Sequence, residues 1–431
     1  MVEIIIVLCM SGVALSLLVE KNIYNPLFIF SAIWLFIFIL YFINPYDMPQ
    51  ASMTSLTTML IGIASFLIGS IIFGNIRITN DTILWVKTNS HFYVEEYLND
   101  FKNEDWIIWI QLIGTLVYMY LGFSGFRALM SGSTLTYIRY YLRLSVLEKG
   151  VNGILVSYVA EPIMYFSITY TTANIAIHNI NKKIVFSLLT SIIMLIMNLL
   201  TVGGRMGILF TLVSVFVCYF IYTKQDKQHN KKSRVLFVFS IIIVMGLYLM
   251  WNMAASRGGN ALKDTLIYLY APVSCFDRYH DIFTSDHYRY TYGLLSSQGF
   301  TRPIFKVLGL ADLNIIKNVD KVYDLIDSEI WLNAQRFNSE TTFIGYFYFD
   351  GGNIAVGSFS LLFGLITQIF YKKTIQSKCL KTTSLSLYII MIGTVVLSFI
   401  HFSFASIGFS LSIMWIFIMS YRKIAIFRYH E

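Results

Sequence analysis

Charge is scarce in this chain. Of 431 residues, 13% are Asp, Glu, Lys or Arg and 56% are hydrophobic. Soluble domains carry about 25% charged residues, so an ordinary water-facing surface of this size is excluded. Cysteine is rarer still. The four residues Cys9, Cys218, Cys275 and Cys379 form no CxxC pair and no cluster with histidine, which argues against a disulfide framework or a structural zinc site. There is no tandem repeat, no low-complexity segment, and no P-loop, GxSxG, HExxH or dinucleotide fingerprint. An acid-rich pair of the kind that holds a metal for nucleotide-sugar chemistry is also missing. The sequence therefore calls for no cofactor and no metal.

What the chain has is apolar runs. They reach the roughly 20 residues that a bilayer-spanning helix needs, and they lack the alternation of about ten residues expected of an outer-membrane barrel. The sequence predicts spans near 4–19, 27–43, 56–74, 106–123, 154–177, 184–200, 206–222, 235–253, 354–371, 384–400 and 403–420. The expectation is an all-α polytopic membrane protein of about eleven transmembrane helices (ten to twelve), a single integral membrane domain over 1–431. The run Ile4–Val19 lacks a basic start and a small-residue cleavage site, so it reads as a retained helix rather than a signal peptide.

The net charge is +8. Its lysines sit mostly in short connections between spans, where orientation explains them better than nucleic acid does. Basic patches occupy 223–234, 371–383, the Lys182-Lys183 turn and the Arg422, Lys423, Arg428 tail. All four fall on one side in this count, which makes that side cytoplasmic and the opposite side outward. The early half fits less well. Segment 75–105 would be inside with six acids against three bases, and 124–152 would be outside with Arg127, Arg139, Arg143 and Lys149 against Glu148. Within the latter, Leu135–Leu147 mixes tyrosines with Arg139 and Arg143. It reads either as an interfacial helix or as a span extension with snorkelling arginines.

One stretch breaks the apolar pattern. Residues 254–353, predicted to be a large helical loop region on the outer face, hold nine Lys/Arg and eleven of the chain's 24 acids. Tyr268, Tyr270, Phe276, Tyr279, Tyr288, Tyr290 and Tyr292 interleave with Asp277, Arg278, His280, Asp281 and Arg289. Aromatic faces beside hydrogen-bonding groups suit a sugar, and they suit a bilayer interface equally. Two Arg/Gly clusters, Gly203-Gly204-Arg205 and Arg257-Gly258-Gly259, sit at predicted outer ends of spans. Glycine admits close backbone approach and a guanidinium grips phosphate with paired donors. A lipid-linked phosphate or pyrophosphate is the expected ligand, with Arg278, Arg289 and Arg336 as further candidates. Glycosyl transfer to a hydroxyl needs a base or a carboxylate to support a cation-like sugar centre. Asp277, His280, Glu340 and Asp350 are the candidates, each set against an ion pair, a helix cap or a satisfied interfacial group. His401 is a further outward histidine.

Several pieces together resemble the bacterial oligosaccharide repeat-unit polymerases of the Wzy type, which assemble O-antigen and capsular polysaccharide. They are Asn44-Pro45-Tyr46, Thr201-Val202-Gly203-Gly204-Arg205-Met206-Gly207, Ser256-Arg257-Gly258-Gly259, Tyr268-Leu269-Tyr270-Ala271-Pro272 leading to Phe276-Asp277-Arg278-Tyr279, Asn338-Ser339-Glu340-Thr341-Thr342-Phe343-Ile344-Gly345, and Tyr348-Phe349-Asp350-Gly351-Gly352. The resemblance implies a fold like the membrane glycosyltransferases of the GT-C class. It implies an enzyme of the bacterial cytoplasmic membrane with an outward active site. The enzyme would move a growing glycan from undecaprenyl pyrophosphate to the non-reducing end of a new lipid-linked unit. Donor and acceptor would both be undecaprenyl-pyrophosphate oligosaccharides held in membrane lipid, with a chain-length regulator and a flippase as partners and no nucleic acid. The family's pyrophosphate-holding role carries over to Arg205 and Arg257 only. A ligase-like glycan transferase and a lipid-linked oligosaccharide flippase are the alternatives.

Overall fold

The computed structural model describes residues 1–19, 22–74, 105–133, 150–177, 181–202, 206–224, 239–244, 246–248, 261–333, 335–338, 341–375 and 381–428. The early helices are α1 (Val2–Val19), α2 (Pro26–Ile43), α3 (Met53–Gly74), α4 (Asp105–Met130), α5 (Val151–Ile177), α6 (Lys182–Val202) and α7 (Met206–Lys224). The polar stretch holds α8 (Ala261–Ser285), α9 (Gln298–Val307), α10 (Asn314–Asp327), β1 (Glu329–Leu332) and β2 (Gln335–Asn338). The remainder is α11 (Phe343–Ile375), α12 (Thr382–Leu397), a 3-10 turn (Ser403–Ala405) and α13 (Ile407–Arg428).

The described residues form an all-α membrane architecture with one small hairpin among them. Six helices among the described residues are long and apolar enough to cross a bilayer: Pro26–Ile43, Met53–Ile72, Trp106–Met130, Val151–Ile177, Lys182–Thr201 and Phe343–Ile375. Shorter apolar helices cover the expected spans at 4–19, 206–222, 384–400 and 403–420, and 235–253 is described, as helix, only at 239–244 and 246–248. Exposure supports the membrane assignment. Along α4, Trp109, Ile113, Leu116, Tyr120 and Phe123 form an exposed stripe at alternating four- and three-residue steps. A helical stripe of large apolar side chains left uncovered by protein is what lipid covers.

The chain divides into two compact units. The first comprises Met1–Asn75, Arg257–Tyr371 and Met391–Ser410. Its α2 starts where Asn25 Oδ1 accepts from the Leu27 N–H at 2.9 Å with Pro26 in the first turn, and stops at Asn44 in the left-handed conformation (φ 45°). These are the expected N-terminal and C-terminal stop signals of a helix. The core is aromatic: Phe30 stacks on Phe66 at 3.7 Å, and Trp34, Phe343, Phe347, Phe363 and Phe402 pack edge to face around it. Helices α3 and α11 cross closely. A β-carbon at Gly69 would strike the Leu361 carbonyl, and one at Gly364 would strike that of Phe66. Without glycine the two backbones could not approach so near.

The polar stretch folds onto this core. In α10, Ile316, Val319, Val322, Leu325 and Ile326 are buried while Lys317, Lys321, Asp324 and Asp327 are exposed, the pattern of a half-buried helix. The hairpin pairs Glu329 with Asn338 and Leu332 with Gln335, turning through Asn333 at φ 44°. Its alternation of exposed Trp331 with buried Ile330 and Leu332 is the two-residue strand period.

The second unit comprises Ile76–Ser256, Lys372–Ile390 and Leu411–Glu431. Here α4 packs along α6, and a β-carbon at Gly125 would collide with the Leu200 carbonyl. The interior is polar. Gln111 Nε2 donates to Ser187 Oγ at 2.7 Å, Thr171 and Ser187 hydroxyls lie 2.6 Å apart, and Asn198 Nδ2 donates to Tyr118 Oη at 2.7 Å. Within α5, Val156–Ala160 is a π turn in which the Glu161 N–H reaches five residues back to the Val156 carbonyl. Pro162 follows directly, and a proline in a helix interior removes one N–H and clashes with the preceding turn. The wider turn accommodates it.

Candidate functional site

The polar residues singled out on α8 meet the end of α2 and the start of α3. Asn44 closes the connecting loop on itself: its Nδ2 donates to the Met48 carbonyl at 2.9 Å and its Oδ1 accepts from the Met48 N–H at 2.8 Å. Ser274 Oγ donates to the Pro49 carbonyl at 2.6 Å, and Asn333 of the hairpin turn donates to the Asp47 carbonyl. Asp277 then completes the helix start. Its Oδ1 accepts from the Ser52 N–H at 2.9 Å and from Ser52 Oγ at 2.6 Å, while Ser52 Oγ accepts from the Ser55 N–H. A carboxylate at a helix N-terminus is stabilised by the unpaired N–H groups and the helix dipole. The geometry gives Asp277 a capping role.

One turn further along α8, His280 is 7% exposed, and neither ring nitrogen has a hydrogen-bond partner among the described residues. Its ring lies 4.7 Å from that of Tyr348 and 6.0 Å from that of Phe276. The Asp281 carboxylate is 3.8 Å from Nδ1, too far for a hydrogen bond.

Asp350 is 1% exposed and fully engaged. Oδ1 accepts from Thr291 Oγ at 2.5 Å and from the Leu295 N–H at 3.0 Å, and Oδ2 accepts from the Ser296 N–H at 3.0 Å. The reason lies in the next two residues. Helix α11 breaks at Gly351 and Gly352, and Gly352 takes φ 64°, ψ −155°, which only glycine adopts without strain. The carbonyls freed at the break are taken up by the same loop: Phe349 accepts from the Thr291 N–H at 3.1 Å and Asp350 from the Tyr292 N–H at 2.8 Å. Below the break, Asn353 Oδ1 accepts from Thr58 Oγ at 2.8 Å. Asp350 therefore ties the loop 291–296 to the broken helix.

The arginines part company. Arg336 is ion-paired with Glu329 across the hairpin, and Arg278 and Arg289 are exposed. Two further ion pairs of this segment, Arg302 with Asp320 at 3.2 Å and Lys317 with Asp312 at 3.5 Å, join exposed or partly exposed side chains. Arg205, Arg257 and Glu340 lie outside the described residues. The aromatics also divide. Tyr270, Phe276 and Tyr279 are core, whereas Tyr290 is 40% and Tyr292 75% exposed. Among the described residues, no group of three His, Cys, Asp or Glu side chains is placed to hold a metal.

Sequence reasoning missed the groups that organise this region. Ser52, Thr291 and Ser296 carry no motif, and Tyr348 stood in a quoted fragment without a role. Thr341 escaped for the same reason; its hydroxyl is fully buried without a partner among the described residues, beside Gly345 and Phe276. No protein-family model, no curated protein and no solved structure matches this chain.

Proposed function

We propose that the protein is a membrane glycosyltransferase that polymerises lipid-linked oligosaccharide repeat units. The observation that carries the reading is the folded polar segment 261–338, held between apolar helices, which brings buried polar groups and partly exposed tyrosines into one compact unit. A barrier or anchor has no use for such a segment, whereas sugar chemistry at a membrane edge needs aromatic faces and hydrogen-bonding groups together.

In this reading the chain has about eleven spans in a GT-C-like arrangement and resides in the bacterial cytoplasmic membrane, with segment 254–353 outward. The hydroxyl oxygen of the incoming unit forms a bond to the anomeric carbon of the growing glycan. The bond from that carbon to the pyrophosphate oxygen breaks, and undecaprenyl pyrophosphate leaves with the electron pair. The hydroxyl proton passes to a base. Arg205 and Arg257 are assigned to the departing pyrophosphate, where charge grows and a fixed guanidinium acts more strongly on the transition state than on the bound substrate.

A second reading draws on the second unit. The buried network of Gln111, Thr171, Ser187 and Ser191 inside apolar helices suits a carrier of the same lipid, since polar groups within membrane helices mark pathways as well as packing contacts. One reconstitution separates the two. Purified protein in liposomes, given a defined lipid-linked repeat unit, is expected to lengthen the glycan without ATP or nucleotide sugar. Lipid that crosses the bilayer and never lengthens would favour the carrier. Transfer only to lipid A or another distinct acceptor would favour a ligase.

A further inference from the structure

We propose that His280 and Thr341, with the rings of Phe276 and Tyr348, form a recognition site for a sugar hydroxyl, and that Tyr290 marks its entrance. The proposal deepens the polymerase reading and rests on it for the identity of the sugar, which is that of the acceptor unit.

Buried polar groups are almost always paired, and each exception asks for a partner. Here two exceptions flank one ring. Among the described residues, neither the nitrogens of His280, at 7% exposure, nor the hydroxyl of Thr341, at 0%, have a hydrogen-bond partner. Both adjoin Phe276, His280 by a ring contact at 6.0 Å and Thr341 through the crowded position at Gly345, whose added β-carbon would meet Thr341 and, at 3.2 Å, Phe276. A line of rings leads from them to the surface. His280 lies 4.7 Å from Tyr348, and Tyr348 lies 6.4 Å from Tyr290, which is 40% exposed.

The chemistry of these groups selects the occupant. A neutral imidazole presents one donor and one acceptor, and a threonine hydroxyl presents both. A hydroxyl group answers each, and a carbohydrate adds an apolar C–H face for the rings. A phosphate fits poorly, because the Asp281 carboxylate lies 3.8 Å from Nδ1 and repels anions. The site therefore reads the sugar and leaves the pyrophosphate to other residues.

The test uses the full chain in nanodiscs and two probes: the lipid-linked glycan pool extracted from the producing cells, and undecaprenyl pyrophosphate without sugar. Carbethoxylation of His280 by diethyl pyrocarbonate, read by mass spectrometry, is expected to fall with the glycan pool and not with the sugar-free lipid. In elongation assays, His280→Phe and Thr341→Val should each raise the acceptor KM by about tenfold, the loss of roughly one buried hydrogen bond. His280→Gln, which keeps a donor and an acceptor, should lose less. Equal protection by both probes, no protection by either, or a wild-type KM in His280→Phe at normal expression would mean that these atoms hold water only, and would overturn the proposal. Should His280→Phe fail to fold, the protection measurement on the wild-type protein still decides. Sugar-dependent protection without any elongation would instead sink the polymerase reading and leave the site standing.

Discussion

Asp350 and Asp277 both read from sequence as bases or as structural acids, and their surroundings now set measurable expectations. Asp350 takes hydrogen bonds from three groups of the loop 291–296 while 1% exposed. Removing a buried charged acceptor strands its donors, at a cost on the order of 3–5 kcal/mol. Asp350→Ala should therefore lower the thermal unfolding midpoint in detergent strongly, and Asp350→Asn should do so by less, since its amide oxygen still accepts. Asp277→Ala loses a cap, worth about 1 kcal/mol. An unchanged midpoint in Asp350→Ala would show that the carboxylate is kept for chemistry and not for the loop. These roles were illegible in the sequence because the partners are remote: Ser52 is 225 residues from Asp277, and Thr291 is 59 from Asp350. His401 makes a separate prediction. It lies between α12 and the 3-10 turn, half-buried, and loss of solvation pushes its imidazole down to about 4. The unfolded chain titrates near pH 6.5, so it binds the proton first. Stability present above pH 6.5 is lost as pH falls from there towards about 4, and levels off below. The whole shift corresponds to roughly 3 kcal/mol, but partial exposure screens the charge and reduces the loss to about 1–2 kcal/mol. His401→Gln should flatten that acid limb of the unfolding curve, and an unaltered pH profile in the variant would locate the titrating group elsewhere.

Among elements, two kinds of helix contact compete in importance, and magnitudes rank them. Gly62 and Gly69 on α3 are seven residues apart, as are Gly357 and Gly364 on α11. Seven residues are about two helical turns, so each pair lies on one face. At Gly69 and Gly364 the facing backbone carbonyl leaves no room for a β-carbon. Gly69→Val should cost roughly 1–3 kcal/mol or more by overpacking. Gln111→Leu in the second unit removes the amide that bonds Ser187, yet such interhelical hydrogen bonds in membranes average only about 0.6 kcal/mol. Unfolding midpoints should therefore rank Gly69→Val well below Gln111→Leu, and the reverse order would make the polar network the chief cement of the helices. The seven-residue glycine spacing was visible in the sequence without announcing which helices meet. Helix existence was easier, because an apolar run of spanning length has few alternatives. The hairpin was overlooked: its strands are four residues each, and the only local signal is Asn333 between Leu332 and Ala334 in the Glu329–Asn338 stretch. A left-handed turn at asparagine is common enough to signal weakly.

At the scale of the whole molecule, orientation governs every functional assignment, and the sequence bears on it only through charge. Translocated segments shed lysine and arginine, so the basic stretches 223–234 and 371–383 are expected in the cytosol. On that expectation the polar segment 254–353 would face outward, the side the proposed polymerase needs. The acidic 75–105 and basic 124–152 segments lie on unexpected sides in the same count; one span more or fewer before residue 154 would move the segments N-terminal to it across the membrane and leave the later half, anchored by its own lysine patches, where it is. The decisive probe is direct. Cys9, Cys218 and Cys275 are buried and in no disulfide among the described residues, so replacing them and Cys379 by serine or alanine gives a background for single cysteines at Gln225, Asp312 and Gln376. The Asp312 side chain is 97% exposed and offers a reactive position in the polar segment. With an impermeant maleimide on intact cells, only the Asp312→Cys protein should label, while Gln225→Cys and Gln376→Cys should label only after the membrane is opened. Labelling of Gln225→Cys or Gln376→Cys in intact cells, with Asp312→Cys silent, would turn the molecule over. The tyrosines and His280 would then face the cytosol, where nucleotide sugars are present, and a polymerase working on an already translocated lipid-linked unit would no longer fit.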